Sequence, residues 1–227
     1  MQETPPWDYK QEVAKEFPKI KSLLDLGTGG GEFLSSLGQL PRRTYATEGY
    51  QPNVAIARDR LKPLRVDLIR TFAEDNTKRP QAGALPFRTE SLDMIIDRHE
   101  SFVASEVYRV LKRGGIFLTQ QAGSANYPEL NEFFGAPKTE AVWNLQVARQ
   151  QISEAGLVVT AGREARLESW FRDIGAVVFF LLAVPWQLEG FTIDRYLDKL
   201  KELHQLIVRT GRFRVTARRF YLSSMKQ

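Results

Sequence analysis

Leu23-Leu-Asp-Leu-Gly-Thr-Gly-Gly-Gly-Glu-Phe-Leu34 decides what kind of fold this chain can form. An apolar run enters, glycines turn the chain, and a helical pattern leaves. Gly27, Gly29 and Gly31 stand at every second position. Their missing side chains let a ligand lie against the backbone and let the next helix approach the strand. Free N–H groups at the start of that helix would then face an anionic ligand group. Nicotinamide-dependent proteins use a related loop, G-x-G-x-x-G, but its last position is Glu32 here. A carboxylate there suits a pyrophosphate badly; it suits a ligand that bears cations and only a carboxylate. Glu48 ends the next apolar run, near the spacing of about 20 residues at which a ribose-binding acid is expected. Alone, it would read as an exposed strand-end glutamate. After this loop it reads as the acceptor of two ribose hydroxyls.

On both sides of the loop, strand and helix patterns alternate. Trp7–Phe17 has helical spacing and stops before Pro18. Strand patterns cover Ser22–Leu26, Thr44–Thr47, part of Leu64–Phe72, Leu92–Ile96, Ile116–Gln120, Leu157–Ala165 and Arg212–Ser223. Helical patterns cover Glu32–Leu40, Pro52–Leu61, Ser101–Leu111, Glu140–Glu154, Ile174–Leu182 and Ile193–Thr210. Ala73–Gly83 is polar and reads as a loop. The alternation predicts an α/β fold with a largely parallel sheet covered on both faces. One domain over 1–227 is expected, with a helical lid at 1–20 and substrate-cap insertions at 122–150 and 166–192.

The chain has 227 residues, 43% of them apolar, and a net charge of +5. That surplus permits nucleic-acid contact without demanding it. No cysteine is present, which excludes disulfides, thiolate metal sites and a cysteine nucleophile. With only His99 and His204 for imidazole ligands, no metal site is expected. Met1–Lys10 is polar, and the longest apolar stretch, Ile174–Trp186, is too short to span a bilayer. A cytoplasmic protein without membrane contact is therefore expected.

Three stretches together resemble the class I S-adenosylmethionine-dependent methyltransferases, in the type 11 branch that is similar to ubiquinone/menaquinone-biosynthesis methyltransferases. Asp25-Leu-Gly-Thr-Gly-Gly-Gly31 is similar to that family's first motif. Leu85-Pro-Phe-Arg-Thr-Glu-Ser-Leu-Asp-Met-Ile-Ile96 resembles its "LPF…SFD" segment. Glu106-Val-Tyr-Arg-Val-Leu-Lys-Arg-Gly-Gly-Ile-Phe-Leu118 resembles its "E-x-x-R-V-L-x-P-G-G" passage, with Arg113 in place of the proline. The resemblance implies a Rossmann-like seven-stranded sheet, mostly parallel, with the last strand antiparallel. It also implies S-adenosylmethionine as cofactor. Asp25, Thr28 and the Gly27, Gly29 and Gly31 backbone would hold the methionine end, and Glu48 with Gly49 the ribose. Asp97 to His99 would line the transfer site, with Asp97 on the cofactor. The acid that usually contacts adenine is displaced: Gln81 stands at the expected spacing, and Asp75 is an alternative.

Transfer of a methyl group from a sulfonium is an in-line displacement, so alignment and exclusion of water supply much of the acceleration. A base is needed only if the acceptor must lose a proton early. His99 is the candidate, since imidazole ordinarily titrates near neutrality; the other reading is a residue that lines substrate or cofactor. Glu100 either orients His99 or faces solvent. Arg98 could meet an acidic substrate or a neighbouring carboxylate. One of Gln120 and Gln121 must face inward by strand alternation.

Asp97-Arg-His-Glu-Ser-Phe102 lacks the Asn/Asp-Pro-Pro-aromatic pattern of enzymes that methylate amino groups of nucleobases and glutamines. Arg212-Phe-Arg-Val-Thr-Ala-Arg-Arg-Phe-Tyr221 interleaves cations and aromatics, as single-strand binders do, but it falls where the last strand belongs. There its aromatics read as core and its arginines as strand-end pairs. Phe133, Phe134, Trp143, Trp170, Phe171 and Trp186 could shape an apolar substrate pocket or pack a cap. A small, partly apolar acceptor is expected. An RNA acceptor and a non-catalytic cofactor-binding protein are the alternatives.

Overall fold

The computed structural model describes residues 2–71, 84–136 and 142–227. The elements run α1 Tyr9–Ala14, β1 Ser22–Leu26, α2 Glu32–Ser35, β2 Arg43–Glu48, α3 Gln51–Leu61, β3 Asp67–Arg70, β4 Leu92–Arg98 and α4 Ala104–Val110. They continue as β5 Leu111–Ala122, α5 Pro128–Phe134, α6 Leu145–Glu154, β6 Leu157–Phe171, α7 Ile174–Ala183, α8 Leu197–Thr210 and β7 Phe213–Lys226.

The seven strands form one sheet in the order β3-β2-β1-β4-β5-β7-β6. Pairing from β3 through β5 is parallel, and the last strands are antiparallel. The Rossmann-like mixed sheet expected from the sequence is borne out. The chain reverses direction of travel across the sheet at β1, which has β2 on one side and β4 on the other. Such a switch point opens a crevice at the carboxyl ends of the strands, where open α/β sheets bind ligands. Every residue of β1 is buried, as a central strand covered on both faces requires.

Local chemistry explains where elements depart from the sequence patterns. The helix after the glycine loop ends at Ser35 rather than Leu40. The Ser35 and Ser36 hydroxyls donate back to the carbonyls of Glu32 and Phe33, and Gly38 follows at φ 82°. Such back-bonding competes with helix propagation. Helix α5, absent from the patterns, has Pro128 in its first turn and left-handed Gly135 at its end, both ordinary boundary signals.

The described chain divides into two compact units. One comprises Asp8–Gln121, Leu145–Arg163 and Phe220–Gln227. Its core is built on Leu23, Leu24, Met94, Ile95, Ile96 and Phe117, all inaccessible to solvent. The other comprises Met1–Trp7, Ala122–Asn144 and Glu164–Arg219. In it α8 buries Leu200, Leu203 and Ile207, one stripe at helical spacing, in a core with Phe134, Leu167 and Val177. Strands β6 and β7 contribute residues to both units. No helix among the described residues is long and apolar enough to cross a membrane.

Candidate functional site

The glycine loop leaves β1 with Gly27, Gly29 and Gly31 all at positive φ (65°, 62° and 81°), backbone that a side chain would strain. Strand β2 fixes it: the Gly27 N–H donates to Thr47 Oγ1 at 3.1 Å, and the Thr28 N–H to the Thr47 carbonyl at 2.8 Å. Above Gly29 there is open space, with no atom within 4 Å of where a Cβ would stand. The buried Thr28 hydroxyl lies beside the Asp25 carboxyl.

Three carboxylates end the strands around this loop, and all are buried: Asp25 on β1, Glu48 on β2 and Asp97 on β4. Glu48 Oε1 accepts the Tyr50 N–H at 2.6 Å, which ties the acid into the turn containing Gly49. Burial pushes the Asp25 carboxyl up to about 7; the nearby Thr28 hydroxyl and Arg98 pull it down, and Glu48 pushes it up. Asp97 is also held well above the usual carboxylate range by burial. Its Oδ1 accepts the Glu100 N–H at 3.0 Å, and its Oδ2 accepts from Gln121 Nε2 at 2.9 Å and Thr119 Oγ1 at 3.2 Å.

Those bonds shape the turn after β4. The His99 N–H donates to the Gln120 carbonyl at 2.9 Å, and Gln121 Nε2 donates to the Glu100 carbonyl at 2.8 Å. His99 lies exposed at φ 70°, the left-handed region that few non-glycine residues enter. The turn brings Glu100, rather than His99, onto the glycine loop: a Cβ on Gly27 would stand 2.4–2.6 Å from Glu100 side-chain atoms. Arg98 is exposed and lies over the Phe33 ring, 5.2 Å from its centroid. Both Gln120 and Gln121 are buried.

Tyr9 is a member of this site that the sequence did not single out. Its hydroxyl accepts the Asp97 N–H (3.2 Å) and lies in donating range of the Asp97 and Leu118 carbonyls (2.9 and 3.0 Å). Its ring stacks on Phe33 with centroids 5.3 Å apart. Burial first, and then Asp97, raise its pKa well above that of an ordinary tyrosine. The pairing of Tyr9 with Val13, four residues apart and both buried, is the available signal.

The two downstream motifs join in space. Glu106 Oε2 accepts the Leu85 N–H, while Arg109 donates to the Leu85 and Phe87 carbonyls at 3.0 and 2.8 Å and pairs with Glu106. Asp93 accepts from Lys112 and from the Ser22 and Lys21 N–H groups. Despite its partial burial, those donors hold its pKa down at about 2. These residues brace the strands and loops behind the site. Gln81 and Asp75, the two adenine-contact candidates, lie outside the described residues. Of the aromatics weighed for a pocket, Phe134 is buried, Phe133 and Phe171 pack against the same core, and Trp186 is 80% exposed.

Residues 24–119 match the methyltransferase domain family. The match covers the loop, β4 and the joined motifs. No curated protein sequence matches the chain. Among solved structures, a Bacillus halodurans protein described as a methyltransferase aligns at 15% identity and TM-score 0.65, over 96% of each chain. The YcgJ protein of Bacillus subtilis aligns at 18% identity and TM-score 0.63, over 96% of this chain and 98% of its own. A geranyl diphosphate methyltransferase in complex with S-adenosylmethionine aligns at 10% identity and TM-score 0.56, over 96% and 84%. The structural likenesses establish the fold. The domain match bears out the expected S-adenosylmethionine-dependent methyltransferase over residues 24–119.

Proposed function

We propose that the chain transfers a methyl group from S-adenosylmethionine to a small-molecule acceptor. The observation that carries this reading is the glycine loop at the sheet's switch point, with buried Asp25 and Glu48 ending adjacent strands on either side of it. The open space above Gly29 fits a ligand that lies on backbone. Asp25, Thr28, Asp97 and the loop N–H groups would hold the amino-acid end of the cofactor, and Glu48 with Gly49 the ribose. When bound, the cofactor supplies an electrophilic methyl on a sulfonium. The chain's part is to align the acceptor and exclude water. His99, exposed at the carboxyl edge of β4, would take a proton from an acceptor that must lose one.

Ubiquinone-type acceptors belong to this reading only through the likeness of the motifs. RNA is the second reading, and one feature favours it. On β6 and β7, Arg166, Arg214 and Arg218 line a groove of about 540 Å³ together with Glu129 and Glu168, the latter paired with Arg214. Arg212 lies over the Trp170 ring with its guanidinium 5.5 Å from the centroid. Cations beside an aromatic platform suit phosphates and stacked bases.

Incubation with methyl-labelled S-adenosylmethionine and separated metabolite and RNA fractions decides between these readings. Label in a metabolite fraction is expected. Label in RNA, with salt-sensitive retention, would replace the first reading with the second. Cofactor binding without transfer to any fraction would make the protein a non-catalytic binder.

A further inference from the structure

Glu100 holds a position that neither the glycine loop nor the domain match assigns. Its Oε1 accepts from the Ser101 N–H at 3.1 Å and the Ser101 hydroxyl at 3.2 Å. That leaves Oε2 beside Gly27, 2.5 Å from the site of an absent Cβ. The backbone is held as firmly, through Asp97 Oδ1 at its N–H and Gln121 Nε2 at its carbonyl. Left-handed His99 supplies the reversal that carries the carboxylate back over the loop. A turn tied at both backbone groups and at one carboxylate oxygen is built to present the other oxygen.

Acids outnumber cations around the loop. Asp25, Glu48, Asp97 and Glu100 surround it; Arg60, bonded to the Gly30 carbonyl, is paired with Glu32, and Arg98 lies over the ring of Phe33. Burial raises the proton affinity of Asp25 and Asp97, whereas Glu100 is exposed. The methionine end of S-adenosylmethionine carries an ammonium, a carboxylate and a sulfonium. S-adenosylhomocysteine, the product, keeps the first two and loses the sulfonium. A fixed negative charge on the loop therefore stabilises the cofactor more than the product.

We propose that Glu100 sets the preference of this site for S-adenosylmethionine over S-adenosylhomocysteine, acting as a specificity-determining residue. This rests on the cofactor reading above. Glu100 does not accept a proton or contact the acceptor; it biases the site toward the charged form and so favours departure of the product.

The test is calorimetric titration of wild type and Glu100→Gln with each ligand separately. Glutamine keeps the shape and the Ser101 contacts, and an unchanged melting temperature checks that the turn is intact. In the variant, affinity for S-adenosylmethionine should fall about tenfold while that for S-adenosylhomocysteine changes less than about threefold, the scale of one partly screened charge pair. Equal weakening of both ligands would mean that Glu100 acts through shape, and would overturn the proposal. Unchanged affinity for both would overturn it as well. Wild-type protein that binds neither ligand would remove the cofactor reading itself, and this inference with it.

Discussion

The unit that carries the glycine loop and the unit that carries α7 and α8 each have an apolar core, and the first adds a polar network at the carboxyl edge of its strands. In the first, polar groups at the carboxyl edge are bound one by one to backbone: Thr47 to Gly27, Asp97 and Gln121 to Glu100, and Tyr9 to both β4 and β5. Each of these bonds has a direction and a length, so few residue types satisfy it. In the second, Leu130, Phe134, Val177, Leu181, Leu203 and Ile207 fill a common core, and shape and volume are what matter. Phe179, Leu182 and Trp186 on the same stretch are left exposed. A directional network specifies a site; an apolar core specifies a scaffold whose surface can vary.

Truncating the scaffold should give the largest effect. Leu203→Ala, fully buried in α8, is expected to cost about 2–5 kcal/mol of stability. Denaturant titration measures this, and calorimetry on the folded protein should show cofactor affinity within threefold of wild type. A hundredfold loss of affinity would break the contrast between the two units.

Two glycine substitutions sharpen the contrast. Gly27→Ala places a Cβ at positive φ and against Glu100, so cofactor affinity should fall at least 100-fold. Gly211→Ala, at the end of α8, also has positive φ but open space around it. It should cost about 1 kcal/mol of stability and leave the affinity unchanged. Replacing His99 by alanine tests the site's chemistry: turnover should drop at least tenfold with cofactor affinity nearly intact. Unchanged turnover would exclude His99 as a base.

The last test is a pH dependence. Asp25, raised to about 7 by burial, keeps in the folded state a proton that the unfolded chain loses near its ordinary value. Its contribution to stability therefore declines as pH rises from about 4 to about 7, and then levels off. A cationic ligand prefers the ionised carboxylate, so binding should tighten between pH 6 and 8 and release a proton near pH 7. Calorimetry in two buffers of different ionisation enthalpy detects that proton. Asp25→Asn should abolish the release.

Much of the first unit was legible in the residues because its constraints are local. Gly27, Gly29 and Gly31 adopt backbone that penalises other residues, and Glu106 and Arg109 must sit three apart to grip Leu85 and Phe87. The arginines of β7 read as strand-end pairs, and Arg214, near the start of the strand, does pair with Glu168, while Arg218 lines the same groove farther along. The aromatics of that strand did become core: Phe220 and Tyr221 are buried. Glu100 and Tyr9 had no such signature. Glutamate beside histidine, or tyrosine in a short helix, fits many environments.

From the sequence alone came the order of the strands and of the helices other than α5, the turn that only glycine makes comfortably, and the acids spaced for a nucleoside cofactor. Each depends on residues close together in the chain, where backbone sterics and side-chain periodicity act directly. Tertiary structure decided which carboxylate covers the loop, which hydroxyl bridges β4 and β5, and how the segments after Gln121 divide between two units. Those outcomes depend on partners far apart in sequence: Tyr9 reaches Asp97 and Leu118, and Gln121 reaches Asp97. Such pairings form only once the sheet has brought its strand ends together.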